Sequence, residues 1–137
     1  MTNSGWDDRS GHDTVDYSGR TGDIDVSFDA LQNDGERAEH DNVHSNMEGV
    51  LAGSGSDVLV GGKEAVTFFG GPGNDWLYSG KKQDQLHGGS GDDRFTTTDG
   101  LQDFIFTGPG NDNVSEIDVG LDVVSHADRT QISGMRR

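Results

Sequence analysis

A nine-residue repeat in the middle of the chain constrains the fold more than any other feature of the sequence. Residues 70–78, 79–87 and 88–96 are consecutive blocks that each carry Asp at the sixth place and an apolar residue at the eighth. Glycine at the first, second and fourth places permits positive φ, so six residues can form a tight turn. The last three residues alternate in direction as a short strand that sends one apolar side chain inward. We therefore predict an all-β fold of alternating turns and strands.

Two blocks make one coil of a solenoid, so turns eighteen residues apart are expected to stack on the same edge. Stacked turns bring carbonyl and carboxylate oxygens together at that edge. Such oxygens suit a hard cation, and Ca²⁺ accepts six to eight of them in a flexible geometry. The repeat thus predicts a β-solenoid with calcium in its turns.

Gly70–Asp75 and Gly88–Asp93 begin blocks that match the nonapeptide G-G-x-G-x-D-x-U-x. In this respect the chain resembles the RTX family of secreted calcium-binding repeats. The resemblance implies a parallel β-roll with nine-residue turn-strand repeats and calcium as the cofactor.

The register divides the turns into two sets on opposite edges of the predicted roll. The glycine-rich edge keeps Gly at the second and fourth places and Asp at the sixth, and its turns are residues 52–57, 70–75, 88–93 and 107–112. The second edge departs from the pattern, and its turns are residues 61–66, 79–84, 97–103 and 116–122. There, Val66 replaces an Asp, Glu64 and Lys82 replace glycines, and Lys81 adds positive charge. We expect calcium on the glycine-rich edge alone.

Four stacked turns have three gaps between them, which predicts about three calcium ions in a line. The RTX resemblance implies that each ion takes carbonyl oxygens from the second and fourth places of one turn and the first and third of the next, with carboxylates from both. The ligands implied for the best gap are Gly71, Gly73, Asp75, Gly88, Ser90 and Asp93. The rest of the candidate metal-binding set comprises Gly53, Gly55, Asp57, Gly70, Pro72, Gly89, Gly91, Thr107, Pro109 and Asp112.

The chain is expected to have three parts. Residues 1–51 form an N-terminal cap and strand region with an acidic loop at 32–42, residues 52–124 form the roll, and residues 125–137 form a C-terminal cap or tail. The acidic loop is interpreted either as a solvated loop or as an extra calcium site. Candidate carboxylates for additional metal in this region are Asp13, Asp34, Glu36, Glu39 and Asp41.

The eighth place of the blocks defines the predicted core, a row comprising Leu59, Phe68, Leu77, Leu86, Phe95, Ile105, Val114 and Val124. Aromatic residues also occur at outward places. Trp76 and Tyr78 are expected on one face, and Phe69, Phe104 and Phe106 on the other, beside His87. We interpret these faces as contact surfaces for a protein partner or a second copy of the chain. The alternative is that a terminal segment covers one of them.

Composition agrees with folding that depends on a cation. The chain has 137 residues, 25 acidic against 10 basic, a net charge of −15 and no cysteine for a disulfide framework. Each Ca²⁺ would reduce self-repulsion, and its binding energy would become folding energy. The acidity argues against nucleic acid and anionic membrane as partners.

No transmembrane segment or cleaved signal peptide is apparent in the sequence. The RTX resemblance implies export through an uncleaved C-terminal signal, although residues 132–137 do not look like one. We expect a secreted or extracellular location, with a virion or cell-surface assembly as an alternative.

The expected function is a calcium-dependent structural or interaction module. The alternative is a self-assembling subunit of a surface layer, filament or virus particle, and a third hypothesis is an accessory domain of a secreted hydrolase or toxin. An enzyme is not expected, because the five histidines have no metalloprotease or triad spacing and cysteine nucleophiles are absent.

Overall fold

The computed structural model describes residues 12–28, 34–36, 41, 43, 47–97, 99–117, 121–125 and 129–133. These residues form strands and turns without any helix. The strands are β1 (Thr14–Asp16), β2 (Ile24–Ser27), β3 (Gly35–Glu36), β4 (Gly49–Leu51), β5 (Val58–Val60), β6 (Thr67–Phe69), β7 (Trp76–Tyr78), β8 (Gln85–His87), β9 (Arg94–Thr97), β10 (Phe104–Phe106), β11 (Asn111–Ile117), β12 (Val123–Ser125) and β13 (Arg129–Ser133).

The strands form two sheets, and from β4 onward each successive strand switches to the other sheet. The six-stranded sheet has the order β1-β4-β6-β8-β10-β12, and the seven-stranded sheet has the order β13-β11-β9-β7-β5-β2-β3. All strand pairs are parallel except β2 with β3. This alternation confirms the predicted all-β, parallel β-solenoid.

The nine-residue period accounts for the register of both sheets. In the seven-stranded sheet, Leu59 pairs with Leu77 and Leu77 pairs with Phe95. In the six-stranded sheet, Phe68 pairs with Leu86, eighteen residues later. Seven members of the predicted inward row are buried, whereas Val124 is only partly buried against the core. Inward side chains of neighbouring coils therefore stack into a single apolar ladder.

Strands N-terminal to the repeats extend the same solenoid. β1 pairs with β4, and β2 pairs with β5, both in parallel. Ile24 and Val26 are buried and Asp25 is exposed, as the alternating pattern of this segment predicts. Parallel pairing thus begins at Thr14, well before the first glycine-rich turn.

Candidate calcium sites on the edges of the roll

The glycine-rich turns repeat one backbone conformation. Gly73 and Gly91, both at the fourth place, have φ values of +132° and +127°, in a region that side chains disfavour. A Cβ at Gly91 would also collide with the Gly73 carbonyl oxygen. Glycine at this place therefore allows successive turns to stack closely.

Backbone hydrogen bonds lock neighbouring turns together. The N–H of Gly71 donates to the Gly88 carbonyl at 2.9 Å, and the N–H of Gly73 donates to the Ser90 carbonyl at 2.8 Å. Gly88 and Ser90 are the first- and third-place carbonyls predicted as metal ligands. A carbonyl oxygen has two lone pairs, so one hydrogen bond leaves it able to bind a cation.

The aspartates at the sixth place form a ladder along the glycine-rich edge. The N–H of Asp57 donates to Asp75 Oδ1 at 2.8 Å, and the N–H of Asp75 donates to Asp93 Oδ1 at 2.9 Å. The second oxygen, Oδ2, is buried and has no hydrogen-bond partner in either Asp75 or Asp93. A buried carboxylate oxygen without a partner is costly, and a bound cation would remove that cost.

The unpartnered oxygens point to the positions of the first-place glycines. A methyl group at Gly70 would collide with Asp75 Oδ2 and lie 2.7 Å from the Gly88 carbonyl oxygen. One coil along, a methyl group at Gly88 would collide with Asp93 Oδ2 and lie 2.7 Å from the Thr107 carbonyl oxygen. A carboxylate oxygen of one turn and a carbonyl oxygen of the next therefore converge where glycine leaves space. This donor set fits Ca²⁺.

Burial raises the pKa of these carboxyl groups. The pKa of Asp75 rises to about 7 and that of Asp93 to about 6, mainly through desolvation, with neighbouring carboxylates adding to the rise. Burial also raises the pKa of Asp57. Hydrogen bonds from backbone N–H groups offset part of these shifts. A cation at the edge would act in the opposite direction by stabilising the charged form.

The second edge has a similar aspartate ladder, which the sequence analysis did not anticipate. The N–H of Val66 donates to Asp84 Oδ1 at 2.7 Å, and the N–H of Asp84 donates to Asp103 Oδ1 at 2.8 Å. The Oδ2 atoms of Asp84 and Asp103 are also buried without a hydrogen-bond partner. Burial raises the pKa of Asp84 to about 8 and that of Asp103 to about 6. The sixth-place Asp in both turns was the sequence signal for this ladder.

Two turns of the second edge differ from residues 70–75 and 88–93 at the first place. There, Ser79 and Thr97 replace Gly70 and Gly88, and both residues are buried. Thr97 Oγ1 donates to Asp122 Oδ2 at 2.7 Å, and a hydrogen bond from Ser79 lowers the pKa of Asp103. On the second edge, hydroxyl groups therefore bond to carboxylates of the next coil. At the same place, residues 70–75 and 88–93 have glycine and leave space for a cation.

The second edge also differs at the fourth place of one turn. Lys82 has a φ of +76° and is the one non-glycine residue with positive φ in the described part of the chain. It stands where the glycine-rich turns have Gly73 and Gly91. The lysine therefore keeps the turn conformation at the cost of backbone strain.

The acidic candidates outside the repeats make bonds within the protein. Asp34 accepts hydrogen bonds from the N–H groups of Ser27, at 2.7 Å, and Val43, at 2.6 Å. Asp41 Oδ2 accepts a hydrogen bond from the Tyr17 hydroxyl at 3.0 Å. These two carboxylates join the loop to the first coil, which is a structural role.

The other acidic candidates have separate surroundings. Glu36 lies 3.7 Å from Arg20, and the Asp13 carbonyl accepts the N–H groups of Glu48 and Gly49. Glu39 lies outside the described residues. In the described part of the chain, no group of three or more His, Cys, Asp or Glu side chains is positioned to hold a metal. Any site at the edges therefore depends on backbone carbonyls as well as carboxylates.

A protein-family model described as RTX calcium-binding nonapeptide repeat (4 copies) matches residues 51–81, 69–101 and 83–114. The chain carries RTX calcium-binding repeats. RTX repeats bind Ca²⁺, so the roll is a calcium-binding β-roll. The matched residues include all four glycine-rich turns in full, residues 52–57, 70–75, 88–93 and 107–112. No curated protein sequence matches the chain. In the described residues, no helix is long and apolar enough to span a membrane.

Proposed function

We propose that this chain is an extracellular module that folds when calcium binds along its glycine-rich edge, and that its role is structural or interactive. The observation that carries the proposal is the unpartnered, buried Oδ2 atom of Asp75 and of Asp93, each facing a position kept open by glycine. The calcium-binding nature of RTX repeats identifies the cation.

In this proposal, the ion between residues 70–75 and 88–93 is held by Asp75, Asp93 and the carbonyls of Gly71, Gly73, Gly88 and Ser90. The flanking gaps add Asp57 and Asp112, which gives about three ions. The bound cation supplies positive charge to buried carboxylates. The chain's own part is to hold those oxygens in place through the hydrogen-bond ladder between turns.

The dependence of folding on calcium follows from the negative charge of the chain. The chain has a net charge of −15, and the aspartate ladders stack carboxylates on successive coils of a narrow core. Without calcium, folding must either bury charged carboxylates or protonate them. At the millimolar calcium concentrations typical of extracellular modules, ion binding contributes directly to folding. The proposed extracellular location follows from this requirement.

Calcium titration followed by circular dichroism tests the proposal. We expect little β structure in chelator and a cooperative gain of β signal as calcium is added. Magnesium at the same concentration serves as the control, because it demands a stricter octahedral geometry and should be less effective. A β spectrum that is unchanged by chelator would overturn the proposal.

The proposed role is not catalytic, because the histidines of the chain lack the spacing of a metalloprotease or triad and cysteine is absent. An accessory domain of a secreted hydrolase or toxin would use the same folding chemistry. A calcium-dependent hydrolytic activity of the isolated chain would count against the assignment.

A second candidate role, self-association, is favoured by a row of rings on the six-stranded sheet. The His87 ring stacks between Phe69 and Phe106, with ring centroids 4.4 and 4.5 Å apart. Phe69 and Phe106 are each 39% exposed, and Phe104 is half-buried beside them. Strands β4, β6, β8, β10 and β12 contain no Asp, Glu, Lys or Arg. Two acidic chains could therefore meet at this face without opposing their charges.

Sedimentation velocity in saturating calcium tests the second role. We expect association that rises with protein concentration and is reduced by Phe106→Asp, which places a charge in the ring row. A monomer at all concentrations would exclude assembly through this face while leaving calcium-dependent folding intact.

A further inference from the structure

The seven-stranded sheet carries a groove where β7, β9 and β11 leave their turns. Its volume is about 460 Å³, within the range of ligand-binding clefts. Two rows of residues line it, and the sixth-place residues Asp93 and Asp112, candidate calcium ligands, line it as well. The rows are Asn74, Asp92 and Asn111 from the fifth place, and Trp76, Arg94 and Asn113 from the seventh place. Members of each row come from neighbouring strands, so they repeat about every 4.8 Å along the roll axis.

Backbone hydrogen bonds orient the fifth-place row. Asn74 Oδ1 accepts the N–H of Asp92 at 2.8 Å, and Asp92 Oδ1 accepts the N–H of Asn111 at 3.0 Å. The Asn74 amide nitrogen, a donor, and Asp92 Oδ2, an acceptor, are the polar atoms left for a ligand. The groove therefore presents a donor on Asn74 and an acceptor on Asp92 to a ligand, and backbone hydrogen bonds hold both side chains in place.

The seventh-place row supplies a flat surface. The Trp76 side chain is 40% exposed, and the Arg94 guanidinium lies 4.9 Å from the centroid of its ring. This cation–π contact holds the two planar groups together. An exposed indole with polar groups beside it suits a ligand that has both an apolar face and hydroxyl groups.

Charge narrows the class of ligand. Asp92 lies in the groove and the whole chain carries a net charge of −15, which disfavours anions. The positive charge of Arg94, 4.9 Å from the centroid of the Trp76 ring, repels a cationic ligand at that ring. A neutral ligand rich in hydroxyl groups meets both conditions.

We propose that this groove binds a neutral oligosaccharide that lies across β7, β9 and β11, parallel to the roll axis. One sugar ring packs its C–H face on Trp76, and hydroxyl groups bond to Asn74, Asp92 and Asn111. The repeat of these groups along the axis matches a chain of linked sugars better than a single compact ligand. The inference goes beyond the calcium-binding role and rests on it only because calcium keeps the groove folded.

Isothermal titration calorimetry of the calcium-saturated chain tests the site, with cellohexaose, maltohexaose and fully N-acetylated chitohexaose as neutral probes. We expect saturable binding of at least one hexasaccharide, with a Kd of about 1 mM or tighter. Trp76→Ala should weaken that binding at least about tenfold. Asn111→Ala, which keeps the backbone bond to Asp92, should weaken it by a smaller factor. Leu101→Ala, a similarly exposed apolar residue in a turn of the second edge, is the matched control and should leave binding unchanged.

Three results would overturn the site: no binding of any probe, binding that Trp76→Ala leaves unchanged, or a preference for anionic hexagalacturonate over the neutral probes. Circular dichroism of each variant in calcium verifies folding. A chain that folds with calcium but binds no probe removes only the groove proposal. A chain that folds without calcium and binds a probe removes only the calcium-dependent role.

Discussion

Four sixth-place aspartates, Asp75, Asp84, Asp93 and Asp103, use their two carboxylate oxygens differently. Oδ1 accepts a backbone N–H from the preceding coil, as Asp75 does from Asp57 and Asp84 does from Val66. Oδ2 is left without a hydrogen-bond partner in Asp75, Asp84, Asp93 and Asp103. The hydrogen bond to Oδ1 is alike on the two edges. Variants at matched aspartates can therefore separate the contribution of calcium to folding from that of this hydrogen bond.

Replacing Asp75 or Asp93 by Ala is predicted to raise the calcium concentration at the folding midpoint by about tenfold or more, equivalent to about 1.4 kcal/mol. Asp84→Ala loses a similar hydrogen bond but lies in a turn that begins with Ser79 instead of glycine, so its midpoint should shift far less. Calcium titrations of the three variants by circular dichroism provide the comparison. Equal shifts in all three would show that calcium binds on both edges.

Protonation is predicted to replace calcium in part. The pKa of buried Asp75 rises to about 7 and that of Asp84 to about 8, whereas an unfolded Asp has a pKa of about 3.9. The folded state therefore holds more protons than the unfolded state between about pH 4 and 8, and its stability rises as the pH falls through that window.

Circular dichroism of the calcium-free chain should accordingly show more β structure at pH 5 than at pH 8. Protons and calcium compete for the same oxygens, so the affinity of the folded chain for calcium should fall as the pH falls. A calcium-free chain that loses structure on acidification would contradict the burial of neutral carboxyl groups.

Turns that share the same nine-residue repeat differ at their first place. Glycine at the first place leaves space beside Asp75 and Asp93, whereas Ser79 and Thr97 fill that place and bring hydroxyl groups to the second edge. The first arrangement leaves space for a cation, and the second adds hydroxyl donors, although Asp84 Oδ2 and Asp103 Oδ2 keep no hydrogen-bond partner. Substitutions at the first place should therefore have different consequences on each edge.

Gly70→Ala is predicted to weaken calcium binding by about tenfold, because the methyl group would collide with Asp75 Oδ2. The φ of Gly70 is not in the left-handed region, so backbone strain does not complicate the result. Gly19→Ala is the matched control, since an added Cβ there meets no atom within 4 Å. Calorimetric calcium affinities of the two variants should differ; similar affinities would show that the space beside Gly70 is not used.

Thr97→Val is predicted to lower stability by about 1 to 2 kcal/mol through loss of the hydroxyl bond to Asp122. Because the second edge is proposed to hold no ion, this loss should be the same at every calcium concentration that keeps the chain folded. Thermal unfolding at several calcium concentrations measures it. A loss confined to high calcium would indicate an ion on this edge.

The repeated strands were predictable from sequence for a physical reason. A nine-residue period places one apolar side chain inward per strand and fixes parallel register at eighteen residues, so β5 to β9 and their buried residues follow directly. The role of Asp34 was not predictable, because its bonds to Ser27 and Val43 form only after the loop closes on β2. The burial of the Asp84 and Asp103 oxygens was not predictable either, because Lys81 and Lys82 indicate a solvated turn and the burial arises only when neighbouring coils stack.

At the scale of the whole molecule, a thin core is combined with a large negative charge. One apolar ladder fills the interior, and buried aspartates line its edges. About three calcium ions would cancel about six of the fifteen negative charges, which reduces self-repulsion as well as satisfying the buried oxygens. The long aspartate ladder also predicts cooperative folding, because each gap is completed only when both adjacent turns are formed.

The most direct measurement is a calorimetric calcium titration of the chelator-treated chain, followed in parallel by circular dichroism. Calcium-dependent folding on one edge predicts about three ions bound per chain, with the gain of β structure tracking their uptake. Full β structure before any calcium is bound would contradict the central claim, as would uptake of calcium without a change in structure.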